Sequence, residues 1–403
     1  SNFTLQDFRG KSHALSEYQD AKLVVVVFLG TECPLARLYA PRLVALHEQY
    51  RNRDVVILGI NSNRQDSITE IAAYARRHEI PFPVLKDPGN KVADQFQAER
   101  TPEAFILDQQ RVVQYHGRID DQYGVGYIRN EPTRNDLALA LESLLDGKPV
   151  KMQETKAVGC FIGRIKKPNA DAHVTYSNQI ARILQKRCVE CHRKGEIAPF
   201  ALTNYDEVAG WAETIDEVIR EQRMPPWHAD SKHGRFANDR TMTVQEKELI
   251  SQWVAEGAPE GNTRNTPKPK TYVAGWQFPR KPDLVVHMRE EPYTVPAEGV
   301  VKYQYMSVDP GFTKDKWVRM AEPLPGNRAV VHHILVFVRP KGDRNYGDGG
   351  GKFLAAYVPG MRARDYGPGR AKFIPAGSQL VFQMHYTPIG TEQTDRSKIG
   401  FIF

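Results

Sequence analysis

The sequence predicts a multidomain chain: an α/β domain, then an all-α domain, then an all-β sandwich. Three observations support this prediction. Strand and helix patterns alternate up to about residue 150, which is typical of α/β layer folds. A group of amphipathic helix patterns follows, built around a single Cys-x-x-Cys-His sequence. From residue 281 the chain contains short strand patterns separated by turn residues, and no long helix pattern.

The composition is that of an ordinary folded protein of several domains. The 403 residues are 41% hydrophobic and 26% charged, values that argue against a disordered chain. The net charge of +7 is spread along the sequence, and a small basic patch at Lys268 and Lys270 is interpreted as a solvated linker. No apolar run is long enough to span a bilayer, and no nucleic-acid-binding motif is present. We therefore expect neither a transmembrane segment nor a nucleic-acid partner.

Residues 1–150 form the predicted α/β domain. A nearly continuous apolar run over Lys22–Leu29 is typical of a buried parallel strand. The other patterns predict a second strand, two helices, a late hairpin and a closing helix: Val55–Ile60, Pro34–Tyr50, Ser67–His78, Ala104–Leu107 with Val112–Tyr115, and Asn135–Leu145.

Two of the four cysteines, Cys33 and Cys160, lie outside the Cys-x-x-Cys-His sequence. Cys33 falls between the first central strand and the helix that follows it, and a helix N-terminus lowers a thiol pKa. We therefore expect Cys33 to be reactive. A spare cysteine pair in an oxidising compartment can form a disulfide, but the sequence alone leaves open whether Cys33 and Cys160 meet.

The order of elements resembles the thioredoxin fold, in particular the peroxiredoxin-like redoxins. Thr31-Glu32-Cys33-Pro34 stands where those proteins place the active cysteine. Thr101-Pro102-Glu103 matches the loop whose cis-proline, here Pro102, faces that cysteine. Some redoxin relatives have a Gly-Cys after the domain, and Gly159-Cys160 fits that place. The resemblance therefore makes Cys160 the expected partner of Cys33.

Two departures from the redoxin pattern argue against peroxidase activity. Ala36 replaces the second cysteine of a Cys-x-x-Cys motif. Gly30 replaces the threonine that peroxiredoxins have three residues before the cysteine. An alternative interpretation is that Cys33 is an inert remnant in a scaffold domain.

The sequence Cys188-Val189-Glu190-Cys191-His192 is the attachment signal for a c-type heme. In such sites the two thiols form thioethers to the porphyrin, and the adjacent histidine binds the iron. The alternative is a zinc or redox Cys-x-x-Cys, but a zinc site needs a second ligand pair at suitable spacing and the sequence offers none. Cys188, Cys191 and His192 are therefore the residues predicted to hold heme c.

The predicted heme domain covers residues 173–261 and follows a predicted linker at 151–172. Its helix patterns cover Ser177–Arg187, Ala209–Arg223, and a third segment that begins at the capping box Thr243-x-x-Glu246 and ends near Gly257. Three such helices, with the attachment sequence after the first, resemble a small class I cytochrome c.

The class I cytochrome fold takes its sixth iron ligand from a loop before the last helix. Met224, in the stretch Met224-Pro225-Pro226-Trp227, lies in that loop and is the ligand that the resemblance implies. The flanking prolines would stiffen the loop. His228 is the rival ligand, and a place in the core is the alternative role for Met224. His233 is expected to face solvent.

A polar, proline-bearing linker is predicted at 262–280, and the all-β domain at 281–403. Six segments of this domain have the pattern of short strands, which favours a β-sandwich. The predicted strands are Leu284–His287, Lys302–Val308, Trp317–Glu322, Val330–Phe337, Gln379–His385 and Lys398–Phe403.

Three histidines lie within apolar strands of this domain: His332, His333 and His385. A buried imidazole is costly unless it is hydrogen-bonded or bound to a metal. Neighbouring strand residues point to opposite faces, so His332 and His333 can share one ion only where the strand bends, bulges or ends. From these residues alone, a metal site and a structural histidine pair both remain open.

The segments 327–336 and 380–386 closely resemble the first copper domain of the ascorbate-dependent type II copper monooxygenases. The resemblance implies that His332, His333 and His385 bind a copper ion that supplies an electron, and an all-imidazole set suits copper. His287 has no match in that family and is expected to be structural. The second, oxygen-activating copper domain of the family has a His-x-His pair, which this sequence lacks. We expect the native chain to continue into that domain.

Together the resemblances predict a multidomain bacterial oxidoreductase that works in the periplasm or is secreted, because covalent heme c is made outside the cytoplasm. No signal peptide is visible, so we expect a leader to have been removed. An external electron donor would reduce the heme, and electrons would pass to copper for O2-dependent C–H hydroxylation of an unknown organic substrate. Two alternatives remain: a non-enzymatic electron-transfer or copper-handling protein, and a thiol oxidoreductase or peroxidase that uses Cys33.

Overall fold

A computed structural model describes residues 2–403 except 228, 274, 344–351 and 362. The chain divides into two compact units, residues 1–193 with 199–269 and residues 194–198 with 270–403. None of the described helices is long and apolar enough to cross a membrane.

The N-terminal part of the first unit alternates strands and helices. Its strands are β1 (Thr4–Asp7), β2 (Ser12–Ala14), β3 (Leu23–Phe28), β4 (Val55–Asn61), β5 (Val84–Lys86), β6 (Arg100–Thr101), β7 (Glu103–Leu107), β8 (Val113–Gly117), β9 (Tyr123–Gly124), β10 (Tyr127–Ile128) and β11 (Cys160–Phe161). Its helices are α1 (Pro34–Tyr50), α2 (Ile68–Arg77), α3 (Lys91–Phe96) and α4 (Asp136–Leu145). The elements predicted for this domain are all present, with ends that shift by at most two residues.

Seven of these strands form one sheet in the order β2-β1-β5-β4-β3-β7-β8. The neighbours β3, β4 and β5 run parallel, and the other pairs are antiparallel. Every residue of β3 is buried, because the sheet is covered on both faces. Val25 and Val27 join a core with α1, α2 and α4, while Val24 and Val26 join a second core with α3. The predicted α/β domain is therefore present.

The segment 151–172, predicted to be a linker, is partly ordered against the α/β domain. Strand β11 pairs antiparallel with β6, so that Cys160 lies opposite Thr101. Ile162 is buried, and its N–H donates to the carbonyl of Glu99 at 2.9 Å. Apart from the resemblance at Gly159-Cys160, this docking has no sequence signature, because a few isolated apolar residues in an extended segment produce no periodic pattern.

The C-terminal part of the first unit is helical. Its helices are α5 (Ala181–Arg187), which continues from a π-helical turn at Tyr176–Ile180, α6 (Tyr205–Gly210), α7 (Ala212–Arg220) and α8 (Val244–Ala255). The predicted helix Ala209–Arg223 is wrong in its bounds, because a break at Trp211 separates α6 from α7. The capping box of Thr243 and Glu246 is confirmed at the start of α8. Gly257 follows the end of α8 with a φ of +84°.

The second unit is all β. Its strands are β12 (Leu284–His287), β13 (Tyr293–Val295), β14 (Gln304–Val308), β15 (Lys316–Val318), β16 (Met320–Leu324), β17 (Val331–Arg339), β18 (Lys352–Tyr357), β19 (Arg364–Asp365), β20 (Lys372–Ile374), β21 (Gln379–Tyr386), β22 (Gln393–Asp395) and β23 (Lys398–Ile402). The segment Trp317–Glu322, predicted as one strand, is two strands that separate at Arg319.

Two four-stranded sheets form the body of the second unit. Their orders are β12-β23-β16-β19 and β14-β21-β17-β18, with antiparallel neighbours throughout. Ile399 and Phe401 from the first sheet share one apolar core with Ile334, Val336 and Phe382 from the second. The two sheets therefore pack face to face as in a sandwich.

Candidate redox and metal sites

The first candidate site is a pair of cysteines in the α/β domain. Cys33 follows β3 and is the N-cap residue of α1, with Pro34 in the first turn of that helix. It is completely buried, and its thiol donates to the carbonyl of Thr101 at a distance of 2.9 Å. The bond between Thr101 and Pro102 is cis. Since Cys160 lies opposite Thr101 on β11, the structure brings Cys33, Pro102 and Cys160 together.

Gly159 allows this close approach of β11. A Cβ atom at position 159 would lie only 2.0 Å from the carbonyl oxygen of Thr101, so no larger residue fits there without moving the strand. Glycine is the residue expected where one backbone comes this close to another. Gly159 is therefore explained by packing as well as by resemblance.

The surroundings of the two thiols shift their pKa values in opposite directions. Burial raises the pKa of Cys33, but hydrogen bonds to its sulfur, first of all from the Cys160 thiol and also from the backbone N–H groups of Ala36 and Cys160, outweigh it and lower that pKa to about 6. The pKa of Cys160 is raised well above its ordinary value, first by its hydrogen bond to Cys33 and then by burial. Cys33 is therefore the more acidic thiol of the pair, and Cys160 is the less acidic one.

The loop before Cys33 leaves no room for the threonine of a peroxiredoxin. A Cβ atom at Gly30 would lie 2.7 Å from the side-chain nitrogen, Nδ2, of Asn63 and 3.0 Å from the hydroxyl oxygen of Thr101. Asn63 itself is held by Asp66, whose carboxylate also accepts from the N–H of Thr31 at 2.9 Å. A threonine at position 30 would therefore displace a buried polar network.

Glu32, the chain neighbour of Cys33, is a titratable group that the sequence analysis did not single out. Burial raises the pKa of its carboxyl to about 7, although the positive charge of Arg37 opposes the shift. The carboxyl is therefore partly protonated near neutral pH. An acidic residue next to a cysteine is common in sequences, and only its burial distinguishes this one.

The second candidate site is the heme-attachment sequence. Cys188 caps the end of α5, and its carbonyl accepts from the N–H groups of Cys191 and His192 at 3.1 and 2.9 Å. This turn places both cysteines and the histidine in one short loop. Nδ1 of His192 lies 3.1 Å from the carbonyl of Phe200, which fixes that nitrogen as the donor and leaves Nε2 free to bind a metal. The residues therefore fit the expected heme c.

The ring of His192 is set by an aromatic stack. Phe200 packs on His192 with ring centroids 4.9 Å apart, and Trp211 stacks on Phe200 at 4.0 Å. Burial lowers the pKa of His192, so its ring is neutral, the form that binds iron. Burial also raises the pKa of Cys188 to about 12, so this thiol is not a ready nucleophile.

The predicted distal ligand Met224 lies after α7. Its side chain is 41% exposed, which excludes the alternative of a buried core methionine. Its N–H donates to the carbonyl of Val218 at 3.1 Å. The rival ligand His228 lies outside the described residues. His233 is exposed, as expected.

The third candidate site is the histidine cluster of the second unit. Strands β17 and β21 are neighbours, and His333 lies directly opposite His385. The register shifts between Val331 and His333, which is the irregularity that two adjacent histidines need to face one ion. Ligand nitrogens of His332, His333 and His385 all lie within 4.8 Å of one another. The structure therefore brings all three predicted copper ligands together.

The chemistry of this cluster suits a metal. Burial lowers the pKa of each histidine, and the neighbouring imidazoles help to bring that of His333 to about 4. The rings are therefore neutral and able to donate lone pairs. Tyr303 covers two of them, with ring centroids 5.6 Å from His333 and 5.0 Å from His385. Three imidazoles form a donor set that copper binds well. His287 lies on β12, in the other sheet, and is not part of the cluster.

Comparisons with known proteins identify the N-terminal domain. Residues 1–116 match the model of the AhpC/TSA family. The chain is 30% identical over 121 residues to a chloroplastic peroxiredoxin Q of Triticum aestivum, covering 28% of this chain and 54% of that protein. It is 28% identical over 118 residues to the thiol-disulfide oxidoreductase ResA of Halalkalibacterium halodurans, covering 29% of this chain and 62% of that protein.

The chain thus spans between half and two thirds of the length of these two relatives. A crystal structure of a hypothetical protein from Sinorhizobium meliloti 1021 is 29% identical, with a TM-score of 0.38, covering 41% of this chain and 91% of that one. The N-terminal part of the chain is an AhpC/TSA redoxin domain with a thioredoxin-like α/β fold.

Proposed function

We propose that the protein is a thiol–disulfide oxidoreductase in which Cys33 attacks a substrate disulfide and Cys160 completes the exchange. One observation supports the proposal above all others: Cys33 is the N-cap residue of α1 and lies beside Cys160, the residue opposite Thr101 on β11. The hydrogen bond from the Cys160 thiol helps to lower the pKa of Cys33 to about 6. The same contacts argue against the alternative of an inert remnant, since a structural buried cysteine has a raised pKa.

The exchange proceeds in two steps that conserve atoms and electrons. The Cys33 thiolate attacks one sulfur of a disulfide R–S–S–R′, forms a Cys33–S–S–R mixed disulfide and expels R′S⁻, which takes a proton from solvent. Cys160 then loses its proton and attacks the sulfur of Cys33, which forms the Cys33–Cys160 disulfide and expels RS⁻. Two electrons pass from the protein to the substrate, and an external dithiol restores the reduced pair.

Access to Cys33 requires a local opening. Its side chain has no exposed surface, whereas Cys160 on the adjacent β11 is partly exposed. A disulfide substrate therefore reaches Cys33 when the short β11 pairing gives way, and Cys160 returns with that strand for the second step. The crowded site at Gly30 favours this exchange over peroxide reduction of the peroxiredoxin type.

The experiment uses oxidised glutathione as the disulfide and the full chain. Cys160→Ser is expected to stop after the first step, with one glutathione bound to Cys33, while the wild type releases both halves and gains an internal disulfide. Intact mass and peptide mapping distinguish these products. Cys33→Ser is the matched control and should form neither product. A glutathione adduct at another cysteine of the Cys160→Ser protein would refute the assignment.

A second function is favoured by the histidine cluster and by the orientation of His192. We propose that a heme c passes electrons from an external donor to a copper ion, in support of O2-dependent C–H hydroxylation of an organic substrate. The heme would be held by Cys188, Cys191 and His192, with Met224 as the distal ligand. The copper would be held by His332, His333 and His385. Covalent heme attachment would place the protein in the periplasm or outside the cell. Phe200 keeps Nε2 of His192 available, and the register shift in β17 turns both adjacent imidazoles toward His385.

The second proposal predicts electron transfer between two defined sites. When the heme of the copper-loaded protein is reduced without oxygen, we expect the Cu(II) signal in electron paramagnetic resonance to disappear. His385→Ala, which removes one copper ligand, is the control that should weaken the signal before any reduction. A Cu(II) signal that persists beside reduced heme would exclude this electron path.

A further inference from the structure

Arg100 contacts both chain neighbours of Cys160. It lies on β6, and its Nη1 donates to the carbonyl of Gly159 at 2.8 Å. Its guanidinium also lies over the ring of Phe161, 4.0 Å from the centroid. One side chain therefore fixes the strand of Cys160 on either side of the sulfur-bearing residue. Cation–π contact and a charge-assisted hydrogen bond together make a rigid support.

The position of Arg100 is set by helix α7 of the helical part. Its Nη2 donates to Glu217 at 2.7 Å, its Nη1 to the second carboxylate oxygen at 3.2 Å, and Arg223 also donates to Glu217 at 3.0 Å. The side chains of Arg100 and Glu217 are only 16% and 15% exposed, so solvent screens this pair little. Helix α7 contacts β11 a second time, because the N–H of Phe161 donates to the hydroxyl of Thr214 at 3.0 Å.

We infer that Arg100, oriented by Glu217, is a positioning residue for the attack of Cys160 on the mixed disulfide. The inference rests on the proposed thiol–disulfide function and assigns part of it to a helix outside the redoxin domain. After the first step, Cys160 must return to the sulfur of Cys33 and lose its proton. Arg100 serves both needs, because it holds Gly159 and Phe161 in place and brings a positive charge to the thiol.

The charged groups that face Cys160 come from three elements. Cys33 lies at the start of α1, Arg100 on β6 and Arg223 just after α7. Glu217 on α7 pairs with both arginines. The two arginines lower the pKa of Cys160 against the stronger effects of Cys33 and burial. Once Cys33 is in a mixed disulfide it has no negative charge, and the arginines then favour the Cys160 thiolate. Loss of Arg100 should therefore raise the pH at which the second step becomes fast.

The test follows the two steps separately with oxidised glutathione, using rapid acid quenching and intact mass. In Arg100→Gln we expect the adduct to form at least as fast as in the wild type, and its resolution to slow by about tenfold or more. The pH midpoint of the resolution step should also rise. Arg100→Lys retains the charge but loses the paired contacts, so it should restore the midpoint and only part of the rate.

Glu217→Gln tests orientation apart from charge. It removes the anchor of Arg100 but leaves the arginine charged, so resolution should slow without a rise in its pH midpoint. Arg220→Gln is the matched control on the same helix, because Arg220 is exposed and pairs with Asp216. Resolution at the wild-type rate and midpoint in Arg100→Gln would overturn the inference. If Arg100→Gln does not fold, resolution at the wild-type rate in Glu217→Gln would overturn it instead. A wild type that never forms the Cys33 adduct would instead refute the proposed function.

Discussion

In the reduced protein, we expect the Cys33 thiol to titrate with a midpoint near pH 6, far below the value of about 8.5 for an ordinary cysteine. At pH 7 about nine tenths of the Cys33 side chains should therefore be thiolate, against about three hundredths for an unperturbed thiol, a difference of about thirtyfold. Burial alone would act in the opposite direction. The low pKa depends on donors that converge on one sulfur, two of which, the thiol and the backbone N–H, belong to Cys160.

Thiolate absorbance in the ultraviolet measures this titration, with Cys33→Ser as the blank. Cys160→Ala removes the side-chain donor but keeps the backbone N–H, so the midpoint should rise while remaining below that of a free cysteine. The rate of alkylation of Cys33 should follow the same curve. A midpoint in Cys160→Ala equal to that of the wild type would show that the Cys160 thiol does not stabilise the Cys33 thiolate.

The same shift makes the stability of the reduced protein depend on pH. The folded-state pKa of Cys33, about 6, is below its unfolded value of about 8.5, so folding favours the ionised form. The stabilisation is therefore complete above the unfolded pKa and is lost as the pH falls through 6. The difference in urea midpoint between the wild type and Cys33→Ser should shrink over that range.

The parts of the fold that could be predicted are those with a regular apolar pattern. The buried run of β3 and the helix from Pro34 gave the position of Cys33 because a strand, a tight turn and a helix follow one another there. The capping box of α8 was equally local. In contrast, the helix break at Trp211 could not be predicted from the sequence, because α6 and α7 continue one amphipathic pattern across it.

The contacts that complete the dithiol site could not be predicted from the sequence. Arg100 and Glu217 are separated by 117 positions, and each belongs to a segment with its own local explanation. Cys160 was expected near Cys33 only through a resemblance, and the pairing of β11 with β6 supplies the physical reason. The histidine cluster was predictable only in part. The strands that carry the three histidines could be predicted from the sequence, but the register shift in β17 that lets His332 and His333 converge could not.

Copper binding is the second large effect that we expect, and it depends on this register shift. The metal-free chain should bind one Cu(II) per chain at the cluster, with nitrogen hyperfine structure from the three imidazoles. His333→Ala should weaken binding by at least about a hundredfold, because removing a direct ligand costs more than the 10- to 100-fold loss typical of its outer hydrogen-bonding partners. Zn(II) should bind the same site less tightly than Cu(II), as the general order of metal affinities requires.

His287→Ala provides the matched control for a histidine of the same unit, because His287 lies on β12 and outside the cluster. Competitive titration against a chelator of known affinity measures both variants. Equal loss of copper in the two variants would indicate general damage to the sandwich, and equal retention would contradict the three-histidine site. Selective loss in His333→Ala is expected because His333 supplies one of three imidazole nitrogens that all lie within 4.8 Å of one another, whereas His287 is not among them.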